Sequence, residues 1–184
     1  MKVGNLLSSD TTESDVFDIP ESKSRRLLEL HLLENYISNT CPSFPGCHNP
    51  EVKHAWSVEV PRMAMEYHNL LYGILSISAL QLLRADPENP ELIVARENYF
   101  GLSLREHRKA VAQLCNKSAD PVCFASSLVL IDAFTSLQDR VLEPYCPPIS
   151  WLNMARGAGA IFKTSLDSIE NYESKRLIFG AILF

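Results

Sequence analysis

The sequence lacks an apolar run long enough for a membrane-spanning helix, which needs about twenty residues. Its main apolar stretch, residues 70–83, is shorter than this and is interrupted by Gln81. Excess positive charge is lacking as well, because 17 Lys and Arg stand against 22 Asp and Glu, giving a net charge of -5. Phosphate binding needs a concentrated basic surface. We therefore expect no membrane span and no direct DNA binding by this chain.

Short catalytic motifs and a targeting segment are also lacking. The chain has no GxSxG, GxxxxGK[ST], HExxH or GxGxxG pattern, so we do not expect an enzyme. His107 is a conceivable general base, but a hydrogen-bonded histidine at a helix interface is the favoured interpretation. Residues 1–19 lack the apolar central region of a signal peptide, which favours a cytosolic or nuclear protein.

The cysteines are odd in number and irregular in spacing, which does not fit a disulfide framework, and we expect them to be reduced. They are Cys41, Cys47, Cys115, Cys123 and Cys146. Cys41 and Cys47, with His48 and His54, offer four zinc-competent ligands, but their spacing does not match the ligand pairs of structural zinc sites. We favour a proline-rich loop whose thiols pack against a helix, and we expect no metal and no cofactor in this chain.

Helical periodicity and breaker residues divide the chain into a polar tail, residues 1–20, and a helical domain, residues 21–184. The tail is acidic and rich in Ser and Thr, which is typical of disorder or of a linker remnant. Helices are predicted over residues 22–39, 51–59, 68–84, 91–116, 120–137 and 149–163, and Pro61 is expected to bend or restart the second of them. Because no alternating strand pattern occurs, the predicted fold class is all-α, a multi-helix bundle.

The apolar faces of these helices indicate how the bundle packs. Residues 70–83 and the helix after Asp120 are apolar nearly all round, so both belong in the core. The first helix is predicted to bury one stripe made of Leu28, Leu30, Leu32, Leu33, Tyr36 and Ile37. The long helix is predicted to bury Leu92, Tyr99, Ser103, His107, Ala110 and Leu114. Small side chains at residues 157–160 are predicted to let another helix approach closely.

Asp132 lies among apolar residues of a predicted core helix, where a carboxylate needs a partner or a raised pKa. We predict a structural ion pair with Arg105 or Arg156 in preference to a catalytic or ligand-binding role. Residues 23–26 fit either a minimal nuclear-import signal or the basic start of an amphipathic helix. Residues 105–109 fit a solvated helix face.

The order of residues from position 56 to position 83 resembles a known family. Trp56, Val60, Pro61, Leu70, Leu71, Ser78, Ala79 and Leu80 follow one another as in the regulatory domain of fungal zinc-cluster (Zn2Cys6) transcription factors of the sterol uptake control type. Residues 25–36, 99–114, 124–134 and 151–161 are similar to further helices of that domain. These segments add Arg105, His107, Trp151, Arg156 and Gly157 to the family signature.

The resemblance covers residues 22–165, the N-terminal half of the family domain, and implies structural roles for the signature residues. It implies regulation of transcription by RNA polymerase II in the nucleus, with the cytoplasm as the alternative location. Zinc is expected only in a six-cysteine cluster N-terminal to such domains, and the sequence contains none. The apolar end, residues 177–184, leads us to expect a truncated fold whose tail self-associates. Gln81 stands where many members have His, which puts one local hydrogen bond in doubt.

Two hypotheses on function follow. In the first, the chain is an effector-sensing or interaction domain of a fungal transcription regulator, and its effector is an apolar small molecule. The resemblance suggests a sterol-like effector for the best-known branch, and helical bundles do form apolar pockets. In the second, the chain is a helical interaction module that forms a homodimer, or that dimerises with a full-length zinc-cluster regulator and titrates it.

Overall fold

The structure, a computed structural model, describes residues 22–135 and 147–168. Within these two ranges the chain forms helices and no strand, so the all-α prediction is confirmed. The helices are α1 (Lys23–Asn35), α2 (Pro50–His54), α3 (Val60–Ala64), α4 (His68–Leu83), α5 (Pro90–Ala112), α6 (Ala119–Thr135) and α7 (Ile149–Ser168). The predicted tail, Cys146 and the apolar end at residues 177–184 lie outside the described residues.

Side-chain caps explain where three helices begin. Ser22 accepts a hydrogen bond from the Arg25 amide at the start of α1. Asn49 and Asn89 cap α2 and α5 in the same way, and each is followed by a proline at the first helical position. Such a proline costs nothing there, because that amide has no partner within the helix. The Asn-Pro pairs therefore fix both starts.

The long helix α5 is shorter than predicted. It ends at Ala112 and not at residue 116, because the backbone leaves the helical region at Gln113. Beyond that point the Cys115 amide donates to the Ser118 hydroxyl at 3.0 Å. The next helix, α6, begins at Ala119, and its first turn includes a bond from the Val122 amide to the Ser118 carbonyl.

The helix does not restart at Pro61, because the chain stays helical through the proline. Residues 50–64 stay helical throughout, with a π-helical turn at Ala55–Glu59 between α2 and α3. The turn is closed by a bond from the Val60 amide to the Ala55 carbonyl. A proline cannot donate a backbone hydrogen bond and crowds the carbonyl four residues earlier. The wider π turn just before it accommodates the proline within one helix.

The core has two parts, with α4 between them as predicted. One part surrounds Trp56, whose ring meets Phe44 and Phe124 edge to face at centroid distances of 5.0 and 5.1 Å. The other lies between α1, α4 and α5 and contains Leu32, Leu75, Ala79, Leu92, Ala95 and Tyr99. Edge-to-face ring contacts add to the free energy gained by burying the rings themselves.

The predicted stripe on α1 is only partly buried. Leu32 and Tyr36 are fully buried and Leu28 is half-buried, but Leu30 is 64% exposed and Ile37 is 40% exposed. At about 100° per residue, Leu30 lies nearly opposite Leu28 and Leu32 on the helix. The prediction joined two faces of the helix into one stripe.

Close packing between helices occurs at Gly73 of α4, and of the small residues predicted at 157–160 on α7 Ala158 is buried while its neighbours are exposed. A Cβ atom on Gly73 would meet Leu128 Cδ1 at 3.1 Å and Ser103 Oγ at 3.3 Å. A Cβ atom on Gly157 or Gly159 would meet no described atom within 4 Å. Gly73 therefore lets α4 lie close to both α5 and α6.

Candidate functional site

An open groove of about 550 Å³ lies between the end of α4, the end of α6 and the segment that follows α1. Among the described residues, its apolar lining consists of Phe44, Pro45, Ile77, Leu80, Leu130, Ile131, Phe134 and Ala155. The described polar lining consists of Thr40, Ser43, Gln81, Arg84, Arg96 and Thr135. A mostly apolar concave surface with a few polar groups is typical of a small-molecule site.

Helical spacing explains why these side chains meet. On α4, Ile77, Leu80, Gln81 and Arg84 follow at intervals of three and four residues, so they share one side of the helix. The same spacing places the end of α6 along the groove, where Phe134 remains 55% exposed. This ring is thus more than half exposed and makes the described lip of the groove apolar at this point.

A buried hydrogen-bond network lies beneath the groove at Asn35. The Asn35 amide donates to Ser78 Oγ at 2.9 Å and to Gln81 Oε1 at 3.0 Å, and Ser78 Oγ donates to the Leu32 carbonyl at 2.7 Å. Asn39 in turn donates to Asn35 Oδ1 at 2.9 Å. The network joins α1 to α4, and Gln81 extends it to the groove lining. Gln81 thus accepts a defined hydrogen bond at the position where the resemblance left one in doubt.

Asp132 forms the ion pair that was predicted, but its partner is Arg96 of α5. Arg96 Nη2 lies 2.9 and 3.1 Å from the two carboxylate oxygens. Of the predicted partners, Arg105 bonds instead to Glu106 at 2.9 Å and Arg156 is exposed. Burial raises the pKa of Asp132, and the charge and hydrogen bonds of Arg96 oppose this shift. The pair was not identifiable from the sequence, because arginines on several helices are candidates.

The Arg96 side chain belongs both to this pair and to the groove. It is 25% exposed and its guanidinium lies over the Phe100 ring, 5.1 Å from the centroid. Its Nε atom is buried and has no hydrogen-bond partner among the described residues. The groove lining thus includes a cation whose hydrogen-bonding capacity is only partly used.

His107 is a buried interface histidine, as predicted. Its Nε2 lies 3.0 Å from Ser126 Oγ, and its Nδ1 lies 3.4 Å from Asn69 Nδ2. Since Ser126 Oγ donates to the Val122 carbonyl, a neutral ring with the proton on Nε2 satisfies both contacts. Burial lowers the pKa of His107 to about 4. The ring thus connects α4, α5 and α6 and does not face the groove.

The other signature residues are mainly part of the core. Trp56, Pro61, Leu70, Ser78 and Ala79 are buried, Leu71, Leu80 and Arg105 are half-buried, and Arg156 and Gly157 are exposed. Trp151 lies in α7, and its side chain is outside the described residues. Leu80 is the one signature position in the described groove lining. The family pattern therefore marks packing positions more than the groove.

Two cysteines of the possible zinc cluster are packed inside the protein. Cys41 and Cys47 are buried, and Cys47 Sγ donates to the Cys41 carbonyl at 3.1 Å. Burial raises the pKa of the Cys41 thiol to about 11, which favours the neutral, weakly ligating form. His48 and His54 are exposed, and His54 faces Glu59 at 3.6 Å. The thiols thus occupy the packed position that the sequence favoured.

None of the described helices is both long enough and apolar enough to cross a membrane.

Comparison with known proteins identifies the family. Residues 31–176 match the model of the fungal specific transcription factor domain. Because this match covers most of the chain, the protein belongs to that family.

Three curated relatives agree with this assignment. The chain is 34% identical over 144 residues to the Zn(2)-C6 fungal-type transcription factor afumD of Aspergillus fumigatus, covering 78% of this chain and 39% of the relative. It is 25% identical to a Zn(2)-C6 fungal-type transcription factor of Gibberella zeae, covering 85% of this chain and 34% of the relative. It is 23% identical to Sterol uptake control protein 2 of Candida albicans, covering 73% of this chain and 19% of the relative.

The matched family is a transcription factor domain and two of these relatives are named as transcription factors, so the expectation that the chain is not an enzyme is confirmed. The chain spans between about a fifth and two fifths of their length.

Proposed function

We propose that this domain regulates transcription in the nucleus by binding an apolar small-molecule effector in the groove between α4 and α6. The groove itself carries the proposal. Its volume of about 550 Å³ falls within the range of about 300–1,000 Å³ that is common for ligand sites. Its lining combines apolar side chains with a few polar groups, which would orient a ligand.

The surroundings of the groove suggest how binding affects the rest of the domain. Phe44 lines the groove on one side and packs against Trp56 of the core on the other. Gln81 lines the groove and accepts from Asn35, which connects it to α1. An effector that contacts both Phe44 and Gln81 can bind one arrangement of α1 and α4 more tightly than another. Its binding would then shift the domain towards the arrangement that it prefers. A nuclear location and a regulatory role agree with the transcription factors that the chain resembles.

A blocked groove tests this proposal. Ala155 lies in the groove lining and Ala160 is exposed on the same helix, so Ala155→Phe and Ala160→Phe form a matched pair. The proteins are titrated with a sterol delivered from cyclodextrin and with a long-chain fatty acid, and binding is followed by calorimetry and by the unfolding midpoint. We expect at least one compound to bind the unmodified protein and Ala160→Phe, and to bind Ala155→Phe at least tenfold more weakly.

Two results would count against the effector. If none of the compounds binds and Ala155→Phe lowers the unfolding midpoint, the groove is filled by the protein itself. If Ala155→Phe binds as tightly as Ala160→Phe, the compound binds elsewhere on the protein.

A helical interaction module is the second candidate, and the outer face of α1 favours it. Leu27 and Leu30 are 58% and 64% exposed there, and Ile37 follows on the same side. Exposed apolar stripes of this kind mark contacts between proteins. If a second copy covers this face, sedimentation should show a dimer that the double change Leu27→Lys, Leu30→Glu abolishes. A monomer at all concentrations would remove the homodimer as the form of this candidate.

A further inference from the structure

The described part of the groove lining has an unbalanced positive charge. Arg84 and Arg96 are both in its lining, and the described lining contains no carboxylate. Asp132 compensates the charge of Arg96, but its side chain is only 5% exposed and lines a separate small cavity instead of the groove. Arg84 is exposed at the end of α4, and the structure shows no ion pair for it among the described residues. The described lining therefore has about one uncompensated positive charge.

The hydrogen-bonding state of Arg96 points to a ligand that accepts hydrogen bonds. Both contacts to Asp132 come from the same nitrogen, Nη2. Among the described residues Nη1 has no hydrogen-bond partner, so this nitrogen remains as a donor on a side chain that lines the groove and is 25% exposed. The guanidinium is held in place between the Asp132 carboxylate and the Phe100 ring. It is thus fixed in position before any ligand arrives.

We propose that the groove binds an apolar molecule that carries a carboxylate, and that Arg84 and Arg96 recognise this group. A carboxylate suits arginine because its two oxygens match the planar fork of guanidinium donors. A neutral hydroxyl would offer fewer acceptor sites and no charge. This inference rests on the function proposed above, and it names the class of effector as an amphipathic acid.

A matched pair of ligands tests the inference. Oleic acid and oleyl alcohol share one hydrocarbon chain and differ at the polar end, so a ratio of their dissociation constants isolates the carboxylate. Calorimetry is performed at neutral pH below the micellar concentration, with a sterol as a third ligand. We expect the acid to bind the unmodified protein at least tenfold more tightly than the alcohol, a difference of about 1.4 kcal/mol.

Variants assign this preference to the two arginines. Arg84→Gln removes an exposed charge, and Arg96→Gln is combined with Asp132→Asn so that no buried carboxylate is left without a partner. Each should reduce the preference for the acid severalfold and leave alcohol binding nearly unchanged. Arg108→Gln, an exposed arginine outside the described lining, is the control and should keep the full preference.

The outcomes separate this inference from the function on which it rests. If acid and alcohol bind equally, or if Arg84→Gln and the double variant keep the full preference for the acid, the two arginines do not recognise a carboxylate. An apolar effector in the groove would still be supported. Binding of the sterol alone would likewise contradict the carboxylate and keep the apolar effector. If acid, alcohol and sterol all fail to bind, the proposed effector site itself is wrong.

Discussion

At the scale of single residues, His107 makes stability depend on pH. Burial lowers its pKa from 6.5 to about 4, so the unfolded chain takes up a proton in this interval while the folded protein does not. Its contribution is therefore fully present above pH 6.5 and is lost as the pH falls towards 4. We expect the free energy of unfolding to decrease by about 1.4 kcal/mol per pH unit below pH 6.5 from this residue.

Urea unfolding followed by circular dichroism between pH 7 and 5 measures this slope. His107→Gln keeps a hydrogen-bonding side chain and cannot titrate, so the variant should lose most of the slope. His31→Gln, at an exposed position on α1, is the control and should keep it. Equal slopes in the unmodified protein and in His107→Gln would show that folding does not change the proton affinity of this ring.

Two buried groups, Asp132 and His107, show how much could be predicted from the sequence at this scale. That Asp132 needs a cationic partner follows from a carboxylate among apolar neighbours, and the structure confirms a pair. Its identity as Arg96 depends on the angle at which α5 crosses α6, which a single sequence does not contain. His107 was placed correctly because the spacing of Tyr99, Ser103 and His107 by itself gives the buried face of α5.

At the scale of helices, glycine substitutions measure how closely α4 packs. Gly73→Ala gains helical propensity but places a Cβ atom 3.1 Å from Leu128 Cδ1, in a core that must then shift. Overpacking of this kind costs about 1–3 kcal/mol, which exceeds the roughly 0.5–1 kcal/mol gained from the alanine. We expect Gly73→Ala to lower the free energy of unfolding by about 1 kcal/mol in chemical denaturation.

Gly101→Ala is the matched control on α5. A Cβ atom there meets no described atom within 4 Å, so only the propensity changes. This variant should be more stable by about 0.5–1 kcal/mol. If Gly73→Ala is stabilised to the same extent, Leu128 adjusts freely and α4 is not held close to α6.

The existence and order of the helices were predictable, but two local features were not. The core helices α4 and α6 follow from apolar runs that leave no polar face. The π turn before Pro61 was missed because proline predicts a disturbance of the helix and does not specify its form. The exposed position of Leu30 on α1 was missed because it lies nearly opposite Leu28 and Leu32, although its three-residue spacing to Leu33 fits a helical stripe.

At the scale of the whole molecule, the groove could not be predicted from the sequence. Its lining comes from five segments between Thr40 and Ala155, and no short motif joins them. The residues that identify the family mostly fill the core, so recognising the family did not locate the site. The groove could be found only once α4 and α6 had been placed side by side.

The charge distribution of the molecule leads to the last prediction, that this chain alone has no sequence-specific affinity for DNA. Its net charge is -5. The basic run on α5 is partly neutralised, because Glu106 bonds to both Arg105 and Lys109 at 2.9 and 3.1 Å. At the start of α1, Arg25 bonds to Glu29 at 2.8 Å. Neither run offers the free basic surface that releases counterions from DNA.

Fluorescence anisotropy with labelled duplexes of random sequence tests this prediction at two salt concentrations. We expect no binding at roughly 150 mM salt, and at most weak binding at about 50 mM that shows no preference among sequences. Glu106→Gln is a useful variant, because it releases two basic side chains on one face of α5. It should strengthen the weak binding at low salt without creating a sequence preference. Selection of one duplex at moderate salt by the unmodified chain would show that a described surface reads DNA directly.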